Sequence, residues 1–130
     1  MRKLNVPYIR QKDLCMCGGA VLEMVYKYYG KSDISQEEIF EKLKEVNPSN
    51  GYNYIKAIKL AEDAVSMGFY GMYFDFTALS KSEKIEIIND LLANNIPLIV
   101  CQQWLKDRKI GHYRVVTGID KNLIYFNDPD

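Results

Sequence analysis

The chain lacks an excess of charge of either sign, because its 17 Lys and Arg residues balance 17 Asp and Glu residues. Without a net field, the composition does not favour a nucleic acid or an anionic membrane as partner. No apolar run reaches the roughly 18 residues that cross a bilayer, and residues 1–25 lack the charged-then-apolar order of a signal peptide. We therefore expect a soluble chain without a membrane segment, most simply cytoplasmic.

Cysteine and histidine are scarce, with three cysteines and one histidine among 130 residues. Three is an odd number and too few for a disulfide framework, which indicates free thiols in a reducing compartment. Internal repeats, low-complexity tracts and Ser/Gly linkers are absent, so residues 1–130 are expected to form a single domain. With 48% hydrophobic and 26% charged residues, the composition is that of an ordinary globular protein.

Apolar residues recur at helical spacing over residues 18–29, 33–46, 54–67 and 80–94. Two of these segments begin with a capping box, Ser35-x-x-Glu38 and Ser80-x-x-Glu83. Strands are predicted from composition or alternation at 69–76, 96–104, 112–119 and 123–127, the last after a turn at 120–122. Helices followed by strands that include an antiparallel hairpin predict an α+β fold.

The sequence does contain four residues suited to thiol catalysis. They are Gln11, Cys17 at a predicted helix start, His112 at a predicted strand start, and Asp128 at the end of the next strand. A thiolate can attack a carbonyl, an imidazole can take and return the proton, and a carboxylate can orient the imidazole. A glutamine amide can bind the oxyanion that develops.

Two local features are expected to support Cys17 in this role. A helix N-terminus and a neighbouring imidazolium both favour thiolate over thiol, which predicts a lowered pKa. Gly18 and Gly19 follow directly, and we expect them to leave room for the backbone of a substrate.

The motifs around these residues are Val6-Pro7-Tyr8-Ile9-Arg10-Gln11, Cys17-Gly18-Gly19-Ala20, Tyr28-Tyr29-Gly30, Gly111-His112-Tyr113 and Asn127-Asp128-Pro129. In this order they resemble the C39 and C39-like cysteine peptidases over nearly the whole chain. Members of that family are best known for trimming double-glycine leader peptides from bacteriocin precursors during export. The resemblance implies a papain-like fold, in which a cysteine helix packs on an antiparallel sheet that carries the histidine and the aspartate.

The resemblance also implies a role for each residue. Cys17 matches the nucleophile, His112 the general base and acid, and Asp128 the orienting carboxylate, while Gln11 shares the oxyanion hole with the backbone N–H of Cys17. A cysteine peptidase-like hydrolase of this kind forms a thioester with a peptide or protein substrate and needs no cofactor or metal. With an amine as acceptor, the same residues would make a transferase.

The sequence departs from the family in two places. Exporter-linked members carry an acidic residue before the cysteine, whereas this chain has Met16, which favours the broader C39-like group. The family's domain commonly continues beyond Asp-Pro, whereas this sequence stops at Asp130. A piece truncated at its C-terminus, a partner that completes the fold and a minimal form all stay open.

Other interpretations of the same residues also stay open. A peptide-docking domain of the same family would bind without turnover. A zinc site would use Cys15, Cys17, Cys101 and His112 as ligands. Taken singly, Cys15 is expected to be a bystander in the loop before the helix, and Cys101 is expected to be a core residue. Asp128 could simply be a turn residue before Pro129.

Overall fold

The structure is a computed structural model that describes residues 2–105, 108–121 and 123–130, with side chains for all of these except 2, 103–105 and 108–110. Its helices are α1 (Cys17–Tyr28), α2 (Gln36–Leu43), α3 (Ala57–Ser66) and α4 (Lys81–Ala93). Its strands are β1 (Arg2–Lys3), β2 (Glu45–Val46), β3 (Asn53–Tyr54), β4 (Leu98–Leu105), β5 (Arg108–Asp120) and β6 (Leu123–Asn127). This mixture of helices and antiparallel strands confirms the α+β prediction.

The predicted helices all form, although two of them are shorter than expected. Both capping boxes are present, at Ser35 and at Ser80, and α1 stops before Gly30, whose φ of +84° suits glycine. The second helix ends at Leu43 because 45–46 pairs with 53–54 in a two-stranded sheet, which also delays the start of α3. Among the described residues, no helix is long and apolar enough to cross a membrane.

The main sheet is organised around β5, which pairs antiparallel with β1, β4 and β6. Val115 lies opposite Ile99 of β4 and Asn127 of β6, so β4 and β6 flank β5 on its two edges. The β5–β6 hairpin forms as predicted, although Asn122 of the predicted turn lies outside the described residues. Because β6 runs antiparallel to β5, the residue after Asn127 is brought beside the first half of β5.

The core lies where the helices pack on this sheet. Val115 and Val116 are 0% and 1% exposed although neighbouring strand residues point to opposite faces, so both faces of β5 are covered here. Helix α1 packs against β5 and against α2. Other buried apolar side chains are Leu4, Val6, Val21, Leu22, Met24, Tyr26, Ile39, Phe40, Ile55, Leu60, Ile88, Leu92, Leu98 and Tyr113.

The prediction of a strand at 69–76 is wrong. The segment contains no strand and is largely open to solvent, with Tyr70 and Met72 fully or mostly exposed. It is held by side-chain and close backbone contacts instead: Phe69 stacks on Tyr26 with ring centroids 5.5 Å apart, and Gly71 lies against the backbone of Ala61 in α3. Aromatic content predicted a strand here, but no neighbouring strand pairs with this segment, and tertiary contacts decide its shape.

A buried carboxylate links the three N-terminal helices. Asp63 of α3 accepts a hydrogen bond of 2.5 Å from the Tyr26 hydroxyl of α1, and Lys42 Nζ of α2 lies 2.5 Å from its other oxygen. The Asp63 side chain is 1% exposed. A carboxylate this far from water is tolerated because one oxygen accepts a hydrogen bond and the other is paired with an ammonium group.

We predict that Asp63→Ala lowers the free energy of unfolding by about 2–3 kcal/mol, because it leaves a buried tyrosine hydroxyl without its partner. The matched control is Glu62→Ala, next along α3, whose ion pair with Lys59 is solvent-exposed and should contribute less than about 1 kcal/mol. Urea unfolding followed by circular dichroism measures both. Equal losses in the two variants would contradict the role given to Asp63.

Candidate active site

Cys17 is the first residue of α1, as predicted, and its side chain is half-buried. Met16 occupies the N-cap position, and among the described residues no side chain caps this helix. A methionine cannot accept hydrogen bonds from the first turn in the way that Ser or Asp would. The positive end of the helix therefore faces the thiol rather than a capping oxygen.

The surroundings of the thiol act on its pKa in opposite directions. Burial is the largest influence and raises the pKa of Cys17; the backbone N–H groups of Tyr113 and Gly18 oppose it, and Cys101 adds a smaller rise. The net pKa lies above the ordinary value, so the expectation of a lowered pKa is wrong for the thiol in these surroundings. The contact with Tyr113 also places the cysteine beside the histidine strand, since Tyr113 follows His112.

His112 lies in β5 with only 4% of its surface exposed, and its Nε2 atom is 2.7 Å from Oδ1 of Asp128. The strand begins at Arg108, so the prediction that His112 starts a strand is wrong, because the pairing with β4 extends further. The hairpin register of β5 and β6 brings the two side chains together across sixteen residues of sequence. Asp128 also accepts the backbone N–H of Asp130, so it has the turn role as well as the contact with the histidine.

A third side chain completes this cluster. Arg114 donates from Nε to Oδ2 of Asp128 at 2.7 Å and from Nη1 to Oε1 of Gln102 at 3.2 Å. Its guanidinium also lies over the ring of Phe126, 5.6 Å from the centroid. Sequence reasoning missed Arg114, although its position two residues after His112 on one strand puts both on the same face.

The contacts of Asp128 determine its charge. Burial raises the pKa of its carboxyl, but the hydrogen bonds from His112, from the Asp130 N–H and from Arg114 together outweigh burial and hold the pKa below its usual value. Asp128 is therefore ionised at neutral pH, and a carboxylate can only accept hydrogen bonds.

Gln11 lies in the loop before α1, and its side chain is tied to that loop. Its Nε2 atom donates to the carbonyl oxygen of Asp13 at 3.1 Å and contacts that of Leu14 at 3.5 Å. The Asp13 carbonyl also accepts from the backbone N–H of Met16 at 3.1 Å. One carbonyl thus joins the Gln11 amide to the residue that precedes Cys17. The backbone N–H of Gln11 donates to Pro129 at 2.8 Å, next to Asp128.

We compared the chain with known protein families and with curated proteins. The sequence matches the Peptidase_C39 like family over residues 3–130. The chain belongs to this family. Among curated proteins, the present chain is similar to the transport/processing ATP-binding protein ComA of Streptococcus pneumoniae, with 30% identity over 125 residues, which is 95% of the chain. It is 28% identical over 129 residues, 99% of the chain, to the pediocin PA-1 transport/processing ATP-binding protein PedD of Pediococcus acidilactici.

These relatives are much longer than the present C39-like chain. The aligned part is 15% of the Streptococcus protein and 16% of the Pediococcus protein. The similarity therefore concerns one segment of each relative, and the activity of the whole relatives is not transferred with it.

Two expectations about the residues around Cys17 are wrong in this C39-like chain. Gly18 and Gly19 do not leave room for a substrate: a Cβ on Gly18 would touch Ile55 and Tyr113, and one on Gly19 would lie 2.6 Å from the backbone oxygen of Gln36. Both glycines instead let α1 approach its neighbours closely. Cys101 is exposed rather than a core residue; within the described residues its strand, β4, pairs with β5 and lies at an edge of the sheet.

The zinc hypothesis receives no support from the described part of the chain. There, no group of three or more Cys, His, Asp or Glu side chains is arranged to hold a metal ion. Cys15 lies half-buried in the loop before α1, where its backbone N–H donates to Oδ1 of Asp13 at 3.3 Å. That contact fits the bystander interpretation.

We predict that neutral His112 carries its proton on Nε2, because this atom faces an ionised carboxylate that can only accept. Nitrogen-15 NMR tests this without assignment ambiguity, since the chain has one histidine. When the imidazole is neutral, Nε2 should show the chemical shift of a protonated nitrogen and Nδ1 that of an unprotonated one, and Asp128→Ala should mix the two tautomers. Asp130→Asn is the control, because it keeps the backbone N–H that Asp128 accepts. A wild-type imidazole protonated on Nδ1 would contradict the assignment.

Proposed function

We propose that the chain is a cysteine peptidase-like hydrolase that cleaves a peptide or amide bond through a thioester on Cys17. The observation that carries this proposal is the 2.7 Å contact between Nε2 of His112, the only histidine, and Oδ1 of Asp128. The residue after His112 on the same strand, Tyr113, directs its backbone N–H to the Cys17 thiol. Membership of the Peptidase_C39 like family supports the same chemistry.

In the proposed reaction, Nδ1 of His112 takes the proton from the Cys17 thiol as the sulfur attacks the substrate carbonyl carbon. The tetrahedral intermediate carries its negative charge on the former carbonyl oxygen. Its collapse breaks the C–N bond, and His112 returns the proton to the leaving amine. Water then attacks the thioester by the same route, which releases the acid and restores the thiol.

The oxyanion needs two N–H donors, which we assign to the backbone N–H of Cys17 and to Nε2 of Gln11. An amide nitrogen carries two hydrogens, and the 3.1 Å bond to Asp13 uses one of them. The 3.5 Å contact to Leu14 is at the outer limit of a hydrogen bond. We propose that the substrate oxyanion replaces this contact, while the bond to Asp13 keeps the amide in place.

Asp128 is assigned the orienting role, since it holds the imidazole in the tautomer that leaves Nδ1 able to accept a proton. Arg114 is assigned the role of keeping Asp128 ionised and fixed. The raised pKa of the Cys17 thiol makes the base necessary, because little thiolate exists at neutral pH without proton transfer.

The proposal also covers the fold, the substrate class and the location of the protein. We propose a single domain of papain-like fold, a peptide or protein substrate, no nucleic-acid partner, and work in the cytoplasm, where free thiols stay reduced. The relatives are named for transport and processing, which supports a peptide as substrate.

A peptide-docking domain without turnover is the alternative. Two observations favour it: the Gln11 amide is bonded within its own loop, and burial keeps the Cys17 pKa high. Such a domain would bind the same class of peptide, and its affinity would not change in Cys17→Ala.

We predict that iodoacetamide alkylates Cys17 at least tenfold faster than Cys15 or Cys101 between pH 6 and 7, because His112 removes the thiol proton. In His112→Ala that advantage should vanish, because burial keeps the pKa of the Cys17 thiol above its ordinary value and no base is left to take the proton during attack. Mass spectrometry resolved by site measures all three cysteines in one sample, so Cys15 and Cys101 serve as internal controls.

Equal alkylation of the three cysteines, with no effect of His112→Ala, would exclude the proposed chemistry. Binding of a synthetic peptide with Gly-Gly before the scissile bond, measured by calorimetry on wild type and Cys17→Ala, then decides the alternative. Equal affinity without cleavage would establish the docking domain.

A further inference from the structure

Gln36 makes an unusual set of contacts for the first residue of a helix. It is 1% exposed, and its side-chain amide is bonded on both sides: Nε2 donates to the carbonyl oxygen of Arg10 at 2.8 Å, and Oε1 accepts from the backbone N–H of Lys12 at 2.9 Å. These two backbone groups belong to the peptide bonds on either side of Gln11. One amide therefore holds the loop at the residue assigned to the oxyanion hole.

The backbone of Gln36 is fixed in turn to the helix that carries Cys17. Its N–H donates to Oε1 of Glu23 in α1 at 2.6 Å, and Glu23 is itself paired with Lys27 at 2.9 Å. Its carbonyl oxygen lies against Gly19, so close that a Cβ there would be 2.6 Å away. Gln36 thus contacts α1 on one side and the loop on the other.

The chemistry of the loop explains why an amide is needed at this position. The Arg10 carbonyl needs a donor and the Lys12 N–H needs an acceptor, and a neutral side chain that supplies one of each in a plane is an amide. A buried amide is costly unless both of its ends are bonded, and here both are.

We propose that Gln36 is a positioning residue, which sets the distance and orientation of the Gln11 amide relative to Cys17 by clamping the two peptide groups around Gln11 onto α1. The inference rests on the proposed function, because it assigns a catalytic consequence to the placement of Gln11. Gln36 itself touches no reacting atom.

The experiment compares two reactions of the same thiol. Acetylation by p-nitrophenyl acetate passes through a tetrahedral oxyanion, whereas alkylation by iodoacetamide is a direct displacement that forms none. The ratio of the two rates at Cys17, read by mass spectrometry, therefore reports the oxyanion hole separately from the reactivity of the thiol. A change that merely loosens the fold around Cys17 alters both rates.

We expect Gln11→Ala to lower this ratio by about 10²–10³ and Gln36→Leu to lower it by about 10–10², because a small misplacement of a catalytic group has effects of this size. The double variant should lose no more than Gln11→Ala alone, since no amide remains to be placed. Lys12→Ala is the matched control on the same loop: it removes only the exposed ion pair with Glu37 and should leave the ratio within about twofold.

Gln36→Glu is the second variant, in case Gln36→Leu does not fold. Its carboxyl group keeps the size of the amide and the acceptor for Lys12, and in its neutral form also the donor for Arg10. The ratio should therefore fall as this carboxyl ionises and recover as the pH is lowered.

Hydrogen exchange of the Gln11 and Lys12 backbone amides provides a readout that does not depend on catalysis. Both should exchange at least tenfold faster in Gln36→Leu if the clamp exists. Unchanged exchange, an unchanged ratio, or additive losses in the double variant would overturn the inference. If wild-type Cys17 instead shows no His112-dependent reactivity while exchange does accelerate, the clamp stands and the proposed function fails.

Discussion

The antiparallel pairing of β5 with β6 is the constraint on which the site depends. Its register places Val115 opposite Asn127, and the next residue, Asp128, then reaches both His112 and Arg114. A shift of one residue would turn these side chains to opposite faces of the sheet. The Arg114 contact and the N–H of Asp130 make the carboxylate a fixed acceptor rather than a mobile surface group.

The other half of the site depends on close approach between helices. Gly19 lets the start of α1 lie against Gln36 of α2, and the Gln36 amide then carries the loop of Gln11. That loop returns to the sheet through the bond from Gln11 N–H to Pro129. The helix that carries Cys17, the loop of Gln11 and the residues that follow β6 are therefore joined by hydrogen bonds through Gln36 and Pro129.

The sequence was sufficient to predict features with local causes. Capping boxes at Ser35 and Ser80, helical periodicity and the β5–β6 hairpin depend on neighbours in sequence, and the boxes, the helices and the strand pairing form as expected. The strand at 69–76 was wrong because aromatic content does not specify a pairing partner. Arg114 and Gln36 were missed because their contacts join residues 14 to 26 positions apart, and the two-sided bonding of a glutamine leaves no pattern in a single sequence.

The protonation state of Cys17 shows why the parts of the site have to be considered together. Sequence alone pointed to a helix N-terminus and hence to a stabilised thiolate, but burial has the larger effect and raises the pKa. A buried neutral thiol is a poor nucleophile until a base takes its proton, so the proposed reaction depends on His112. The tautomer of His112 depends on an ionised Asp128, and Arg114 helps to keep Asp128 ionised. The reactivity proposed for Cys17 thus originates in the hairpin of β5 and β6 more than in the helix that carries the cysteine.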